Sequence, residues 1–396
     1  MLRFTTAGES HGPALISILE GAPAGIPLLA GDIDEQLARR QQGYGRGRRM
    51  QIEHDVVELL SGVRAGETIG SPIGMLVRNR DWKNWQEIMD PAPDADGAEA
   101  RKRVVTRPRP GHADLPGMLK YDRVDGRDIL ERASARETTA RVAAGAICRK
   151  LLSEIGITIG SHVSELGGIV ATPPARWPDD INTAADESQL RTLDLEAEAR
   201  MMELIDTAKK QGDTLGGICE VVCRGVPVGL GSHVSWDRKL DGRIGAAMLS
   251  IHAVKGVEIG SGFDNARRRG SEVHDEIHSS AARPLSANVE RHTNRAGGLE
   301  GGITNGEPLI VRVAMKPIST LMRPLATIEM NTGEAAAAVA ERSDVTAVPA
   351  MGVIAEAMLA FIVAQAVIEK FGGDSLTELR RNFDGYVAQI AERRGS

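Results

Sequence analysis

Aromatic residues are scarce in this chain of 396 residues, at 3% of the total. Proteins that hold single-stranded nucleic acid stack bases on aromatic rings inside a basic groove. A chain with so few rings and a net charge of −6 is poorly equipped for that. Cysteine is rarer still: Cys148, Cys219 and Cys223 are the three thiols, and they form no C-x-x-C pair. That excludes a disulfide framework and a zinc ribbon, so no metal site is expected, and it fits a reducing compartment. Unbroken apolar runs of membrane-spanning length are also missing. The longest candidate, Val348 to Ile368, contains Pro349, Glu356 and Gln365 and reads as a buried helix. Met1 to Thr6 has no cationic, apolar leader, which makes the cytoplasm the expected location.

What is present is a composition of ordinary soluble type, 42% hydrophobic and 26% charged. Its 44 glycines exceed the usual share of about 7% and point to backbone that ligands approach closely. Helix signals come with caps. Asp32 precedes Ile33 and Leu37, with Gly43 as the stop; Ser134 and Glu137 have capping-box spacing before a stripe that ends at Gly156; Ser375 and Glu378 repeat that spacing. Leu195 to Lys210 also reads as helix. The β-like segments are Ala14 to Leu19, Gln51 to Leu60, Ile157 to Val163, Gly217 to Cys223 and Leu309 to Met315. Strands and helices therefore mix along one domain, 1–396, with residues 90–103 as an exposed, turn-rich insertion. Neither G-x-G-x-x-G in a βαβ frame nor a P-loop occurs.

Four stretches carry chemistry. GESHG, Gly8 to Gly12, matches the G-x-S-x-G nucleophile elbow in letters, but too little chain precedes it to supply an oxyanion donor. The better reading is an anion-binding loop presenting Ser10 and His11, whose imidazole can protonate a departing phosphate near neutral pH. RRQQGYGRGRRM, Arg39 to Met50, places five arginines among three glycines. Guanidinium forks on so pliable a loop can converge on one anion, though an RNA-binding arm or a solvated face would look the same. RPRPGHAD, Arg107 to Asp114, holds His112 beside a stiff Pro-rich entry. ERASARET, Glu131 to Thr138, sets Ser134, Ala135 and Arg136 at a helix N-terminus, where unpaired N–H groups favour an anion. His274 and His278 stand four apart, but Glu276 is misplaced for H-E-x-x-H. Cys219 and Cys223 sit among valines and read as core.

These blocks, followed by VKGVEIG with GFDNARRRGSE, GGITNG, KPIST and ERSDVTAVPA, occur in an order that resembles the chorismate synthase family over residues 1 to about 365. The resemblance implies an α/β (α+β) fold with helices sandwiched between antiparallel four-stranded sheets, assembled as a homotetramer. It implies a lyase that converts 5-enolpyruvylshikimate 3-phosphate to chorismate and phosphate, a 1,4-anti elimination that needs reduced FMN without net redox change. A reduced flavin lends electron density as the C–O bond breaks and takes it back afterwards, when flavin N5 removes a hydrogen. With no dinucleotide motif, NADPH is left a role as reductant only, and an external flavin reductase is the expected source of reduced flavin.

By motif position, the resemblance makes His11, His112 and Asp344 the catalytic residues: His11 protonates the phosphate, His112 lies near the flavin pyrimidine edge, and Asp344 relays a proton. The substrate clamp is Arg40, Arg46, Arg49, Arg109, Arg136 and Arg342, with Ser10 and Ser134 positioning. For FMN it points to Ala133, Ser134, Ala135, His252, Ala253, Gly301, the stretch Lys316, Pro317, Ile318, Ser319 and Thr320, and Arg342. Two departures from the commoner family pattern stand out: His252 replaces an amide side chain, and ERSDVTAVPA keeps Arg342 and Asp344 in an altered block. Neither nucleic acid nor membrane is an expected partner.

Overall fold

The computed structural model describes residues 1–47, 54–92, 103–281, 283–339 and 344–393. Two antiparallel sheets enclose a layer of helices. The first contains β1 (Arg3–Ala7), β2 (Ala14–Glu20), β3 (Val57–Leu59) and β4 (Ile73–Arg78) in the order β1-β2-β4-β3. The second contains β5 (Thr158–Leu166), β6 (Ile169–Val170), β7 (Gly217–Arg224), β8 (Val254–Ile259) and β9 (Leu309–Met315) in the order β8-β9-β7-β5-β6. It thus has the four long strands expected and a two-residue fifth, β6, folded back at Gly167 and Gly168, both with positive φ. β9 shows the two-residue period of a half-buried strand: Leu309, Val311 and Val313 are buried, while Ile310, Arg312 and Ala314 alternate outward.

The main helices are α1 (Ala30–Gln41), α2 (Asp114–Tyr121), α3 (Arg127–Leu130), α4 (Thr138–Ser153), α5 (Ile181–Asp186), α6 (Leu195–Gln211), α7 (Leu240–Leu249), α8 (Val348–Phe371) and α9 (Leu376–Glu392). α8 is long and apolar enough to cross a membrane, yet it is the core helix, buried almost all round. It lies between α4 and the second sheet. At the α4 crossing, a Cβ on Gly145 would stand 2.4 Å from the Cβ of Ala357, so only glycine permits that approach. α4 also packs on β2 and β4, which joins the first sheet to the same core.

Several expected boundaries shift for local reasons. α1 starts at Ala30 with Leu29 as its cap, and Asp32 sits inside the first turn, where its carboxylate accepts the Leu29 N–H at 2.7 Å. The expected helix at Ala135 opens as a 3-10 turn, Ala135–Glu137, before α4 begins. Ser134 Oγ accepts the Arg136 N–H at 3.3 Å, but Glu137 turns away to Thr6 and Arg141, so the reciprocal half of the box is absent. At α9, Ser375 Oγ accepts the Glu378 N–H while Glu378 accepts from Asp374 N. The strand expected over 51–60 is confined, within the described residues, to Val57–Leu59, because Asp55 is drawn inward by arginines. Residues 93–102 of the expected insertion lie outside the described residues; Asp90, Pro91, Ala92 and Arg103 at its ends are exposed.

Candidate active site

GESHG occupies the connection between antiparallel β1 and β2, with no helix following it, so it is not a nucleophile elbow. Ser10 is buried there: its N–H donates to Glu131 O at 2.9 Å, and Ser134 Oγ donates to its Oγ at 3.1 Å. The loop is tied to the start of the helix layer by Asn79, whose Nδ2 donates to Gly12 O at 2.7 Å and whose Oδ1 accepts from Arg136 Nε at 3.0 Å.

Two histidine–carboxylate pairs dominate the chemistry. His11 Nδ1 lies 2.9 Å from both carboxylate oxygens of Glu131, and the His11 backbone N–H donates to Glu131 Oε2 at 2.9 Å. Burial alone would raise the Glu131 carboxyl; bonds from His11, backed by Arg127, outweigh it and hold the group below the usual carboxylate range. His112 repeats the arrangement, with Nδ1 2.5 Å from Asp114 Oδ1. Asp114 is buried too, and its hydrogen bonds with His112 and Arg109 overcome that burial and keep it ionised. In each pair the carboxylate engages Nδ1, so proton traffic to a ligand passes through Nε2.

The expected substrate arginines separate into groups. Arg40 and Arg136 share Asp55: Arg136 Nη1 donates to its two oxygens at 2.6 and 2.7 Å, and Arg40 Nη1 stands 3.7 Å away. Arg40 also donates to Thr138 Oγ1 and to the carbonyl of Ala135. Its Nη1 has no hydrogen-bond acceptor among the described residues. Burial, opposed by Asp55 and reinforced by Arg136 and Arg46, pushes the Arg40 guanidinium down to about 9. Arg46 meets Asp344, Nε to Oδ2 at 3.2 Å, and the Gly47 N–H donates to Asp344 Oδ1 at 2.6 Å. Arg109 is buried on Asp114 and reaches Thr320 Oγ1 at 3.0 Å. Arg39 and Arg40 are buried, so this part of the arginine-rich stretch is not an exposed nucleic-acid arm. Arg49 and Arg342 lie outside the described residues.

The residues expected to hold FMN meet the same network from the far side. Lys316, just after β9, donates its N–H to Ala253 O at 2.9 Å and its Nζ to Gly111 O at 2.6 Å. Burial, with Lys255 nearby, lowers the Lys316 ammonium. Gly111 has positive φ, and a Cβ there would stand 3.1 Å from that Nζ. Thr214 Oγ1 donates to Ile318 O at 2.7 Å, a Cβ on Gly216 would fall 2.9 Å from Pro317 N, and Ser319 borders Gly111, so Lys316 to Thr320 is held along its length. His252, followed by Ala253 at positive φ, faces Glu137 at 4.0 Å, and its Nδ1 has no hydrogen-bond partner among the described residues. Burial, more than Glu137 can offset, pushes His252 down to about 4, so its imidazole is neutral near pH 7. A buried orphaned ring nitrogen and a desolvated ammonium fit a phosphate-bearing heterocycle. Ala133 and Ala135 flank Ser134 in the turn that Arg40 grips. Gly301 lies in the turn of the hairpin Leu299–Glu300/Ile303–Thr304, which docks on the start of α7 through Leu240 N–H to Gly302 O, while His252 follows the end of α7.

Sequence reading missed Glu131, Asp114, Asp55, Asn79 and Glu137. All but Asn79 lie in or beside a stretch read as functional, but a single acid or amide has no spacing signal that names its partner. Neither the His274/His278 spacing nor the cysteines make a metal centre among the described residues; His278 stacks on His292, and all three thiols are free and buried. A cleft of about 470 Å3 lined by Arg39, Arg149 and Asp180 lies apart from the network.

An α+β sandwich with buried arginines and two histidine–carboxylate pairs at one end of its helix layer defines an enzyme site for a polyanionic substrate. The chorismate synthase family matches residues 2–368. A chorismate synthase of Symbiobacterium thermophilum is 59% identical over 395 residues, covering 99% of this chain and 100% of its own. One of Geobacter metallireducens is 56% identical over 390 residues, covering 98% of each. A chorismate synthase crystal structure superposes with a TM-score of 0.79 at 44% identity, covering 99% of this chain and 98% of that one. The chain belongs to the chorismate synthase family and is a lyase of that family.

Proposed function

We propose that the protein releases phosphate from 5-enolpyruvylshikimate 3-phosphate by 1,4-anti elimination, giving chorismate, with reduced FMN as the required cofactor. The observation that carries this reading is the convergence of Arg40, Arg136 and Arg46 on one end of the helix layer beside His11. The substrate's phosphate carries about −1.5 to −2 charges and its two carboxylates add more, so binding without paired cations would be prohibitive. Arg40 and Arg136 supply charge to the anion, and Asp55 holds them at a common position. Ser10 and Ser134 offer hydroxyls at the N-terminal turn of α4, where N–H groups add to the positive field.

His11, with Nδ1 on Glu131, donates a proton from Nε2 to the departing phosphate. His252, Lys316, Ser319 and Thr320 would hold the flavin, with His112 at its ring and Ser134 near its boundary with substrate. Reduced flavin, when bound there, supplies electron density for C–O cleavage and recovers it afterwards. Asp114, itself held by Arg109, fixes the His112 imidazole, which would stabilise an anionic flavin ring. Asp344, held by Arg46 and the Gly47 N–H, accepts and passes on the proton removed from the substrate carbon. A homotetramer, a cytoplasmic location and reduction of FMN by an external reductase complete the proposal; three unpaired buried thiols suit a reducing compartment.

The test is an anaerobic assay of the purified protein with this substrate and chemically reduced FMN, following chorismate absorbance and phosphate release. Turnover with reduced but not oxidised FMN is expected. Failure of a folded, flavin-binding protein to turn over would refute the reading.

A further inference from the structure

Two side chains touch the imidazole of His11, and two arginines stand behind them. Glu131 takes the Nδ1 side at 2.9 Å. Trp85 stacks on the face of the imidazole, with ring centroids 3.8 Å apart and planes 23° from parallel. Arg127 links these two: its Nη1 donates to Glu131 Oε1 at 2.8 Å, and its guanidinium carbon lies 5.1 Å from the Trp85 ring centroid. Arg103 stands 4.4 Å from the same centroid, and Arg127 Nε donates to its carbonyl. The indole is fixed in turn at its edge, where Nε1 donates to Asp81 Oδ2 at 2.9 Å.

The components come from separate parts of the chain: the β1–β2 connection, the turn after the 3-10 segment Arg80–Asn84, and the end of α3. An imidazole has one soft torsion that swings the ring and one that flips it. Glu131 opposes the flip, because turning Nε2 toward the carboxylate would remove Nδ1 from it. Trp85 opposes the swing, because the stack is lost if the plane tilts. Arg127 helps to keep Glu131 charged and shares its Oε1 with His11 Nδ1, while Oε2 is left to the His11 backbone N–H and Nδ1.

We propose that Glu131 and Trp85 are positioning residues for His11, one committing Nδ1 and the other setting the plane of the ring, so that Nε2 meets the departing phosphate in a single orientation. The inference rests on His11 being the proton donor, and the test separates the two claims. In the full-length protein with reduced FMN, Glu131→Gln and Trp85→Leu are expected to lower kcat about 10- to 100-fold, within the share a general acid supplies, with KM changed less than about threefold. Trp85→Phe, which keeps a flat ring, should recover most of the loss. In a His11→Asn background each change should cost less than about threefold more, because residues acting through one group are not additive.

A further loss as large as in wild type would overturn the proposal by showing that Glu131 and Trp85 act elsewhere. Unimpaired turnover by His11→Asn would instead remove His11 as donor. Fluorescence reads the clamp without turnover. An imidazole stacked on an indole quenches its emission, so the signal lost on Trp85→Phe should be larger in the His11→Asn background than in wild type. Equal signals in the two backgrounds would mean that the stack is absent in solution and would also overturn the proposal.

Discussion

Arg39 and Arg40 are neighbours on α1, both buried, and serve opposite ends. A helix turns about 100° per residue, so consecutive side chains enter different parts of the interior. Arg39 joins a closed cluster. Its Nη1 and Nη2 donate to the two oxygens of Glu356 at 2.9 and 3.1 Å, and its Nε donates to Asp186 at 2.7 Å. Arg149, Arg191, Ser161 and Asn182 complete the shell of Glu356. Arg40 joins an open one, in which it and Arg136 share the single carboxylate of Asp55. The closed cluster pins α8 to α1, α4, α5 and β5; the open one is where the proposed function places the substrate's anionic groups. Burial depth is the same for both arginines, so burial alone does not separate a structural cation from a functional one. Acceptors do: every guanidinium nitrogen of Arg39 has one, whereas Arg40 Nη1 has none among the described residues.

The sharpest way to break the contrast is to remove the acid from the closed cluster. Burial works against the Glu356 carboxylate, but the charges of Arg39, Arg149 and Arg191 hold it ionised, far below its ordinary range. Glu356→Ala takes the hydrogen-bonded carboxylate from Arg149 and leaves Arg39 and Arg191 to share the carboxylate of Asp186, and should cost about 3–5 kcal/mol of stability, read from urea unfolding, while kcat of the protein that remains folded stays within about twofold. Arg40→Met is the converse experiment. It should lower kcat/KM about 100-fold, comparable to losing one preorganised charge contact, and leave the unfolding midpoint unchanged or higher, since Asp55 keeps Arg136.

A smaller effect comes from His252, which is buried as a neutral ring beside Glu137, Arg141, His112 and Arg132. Its folded value of about 4 lies below an unfolded value of about 6.5. The unfolded chain therefore binds a proton that the folded one refuses, and stability present above pH 6.5 is lost as pH falls toward 4. Partial exposure limits the expected loss to about 1–3 kcal/mol. His252→Gln should flatten that part of the stability–pH curve; an unchanged slope would place the titration elsewhere. Smallest of all, Ser134→Ala removes the bond to Arg136 N and the contact with Ser10, and should cost about 0.5–1 kcal/mol in thermal unfolding.

Much of the fold was legible in local pattern. The strand Leu309–Met315 and the helix from Leu195 were placed within a residue because alternation and capping are local properties. The strand expected from Gln51 was not, because Asp55 answers to Arg136, 81 residues away. In the site, the motifs supplied His11, His112, Arg40 and Arg136, but not the acids beside them. Glu131 stood inside a motif already read as functional and still gave no sign that it would meet a histidine 120 residues earlier.

By itself the sequence determined the mixed α/β class, the buried character of Val348 to Ile368, the order of the anion-binding blocks and the family they resemble. These rest on periodicity, caps and glycine positions, which act over a few residues. Tertiary structure alone decided which of two adjacent arginines serves the site, which acid orients each histidine, and that Gly301 lies at the opposite end of α7 from His252. The partners concerned are up to 317 residues apart, and an ion pair at that separation forms only because a packed core brings the two ends together.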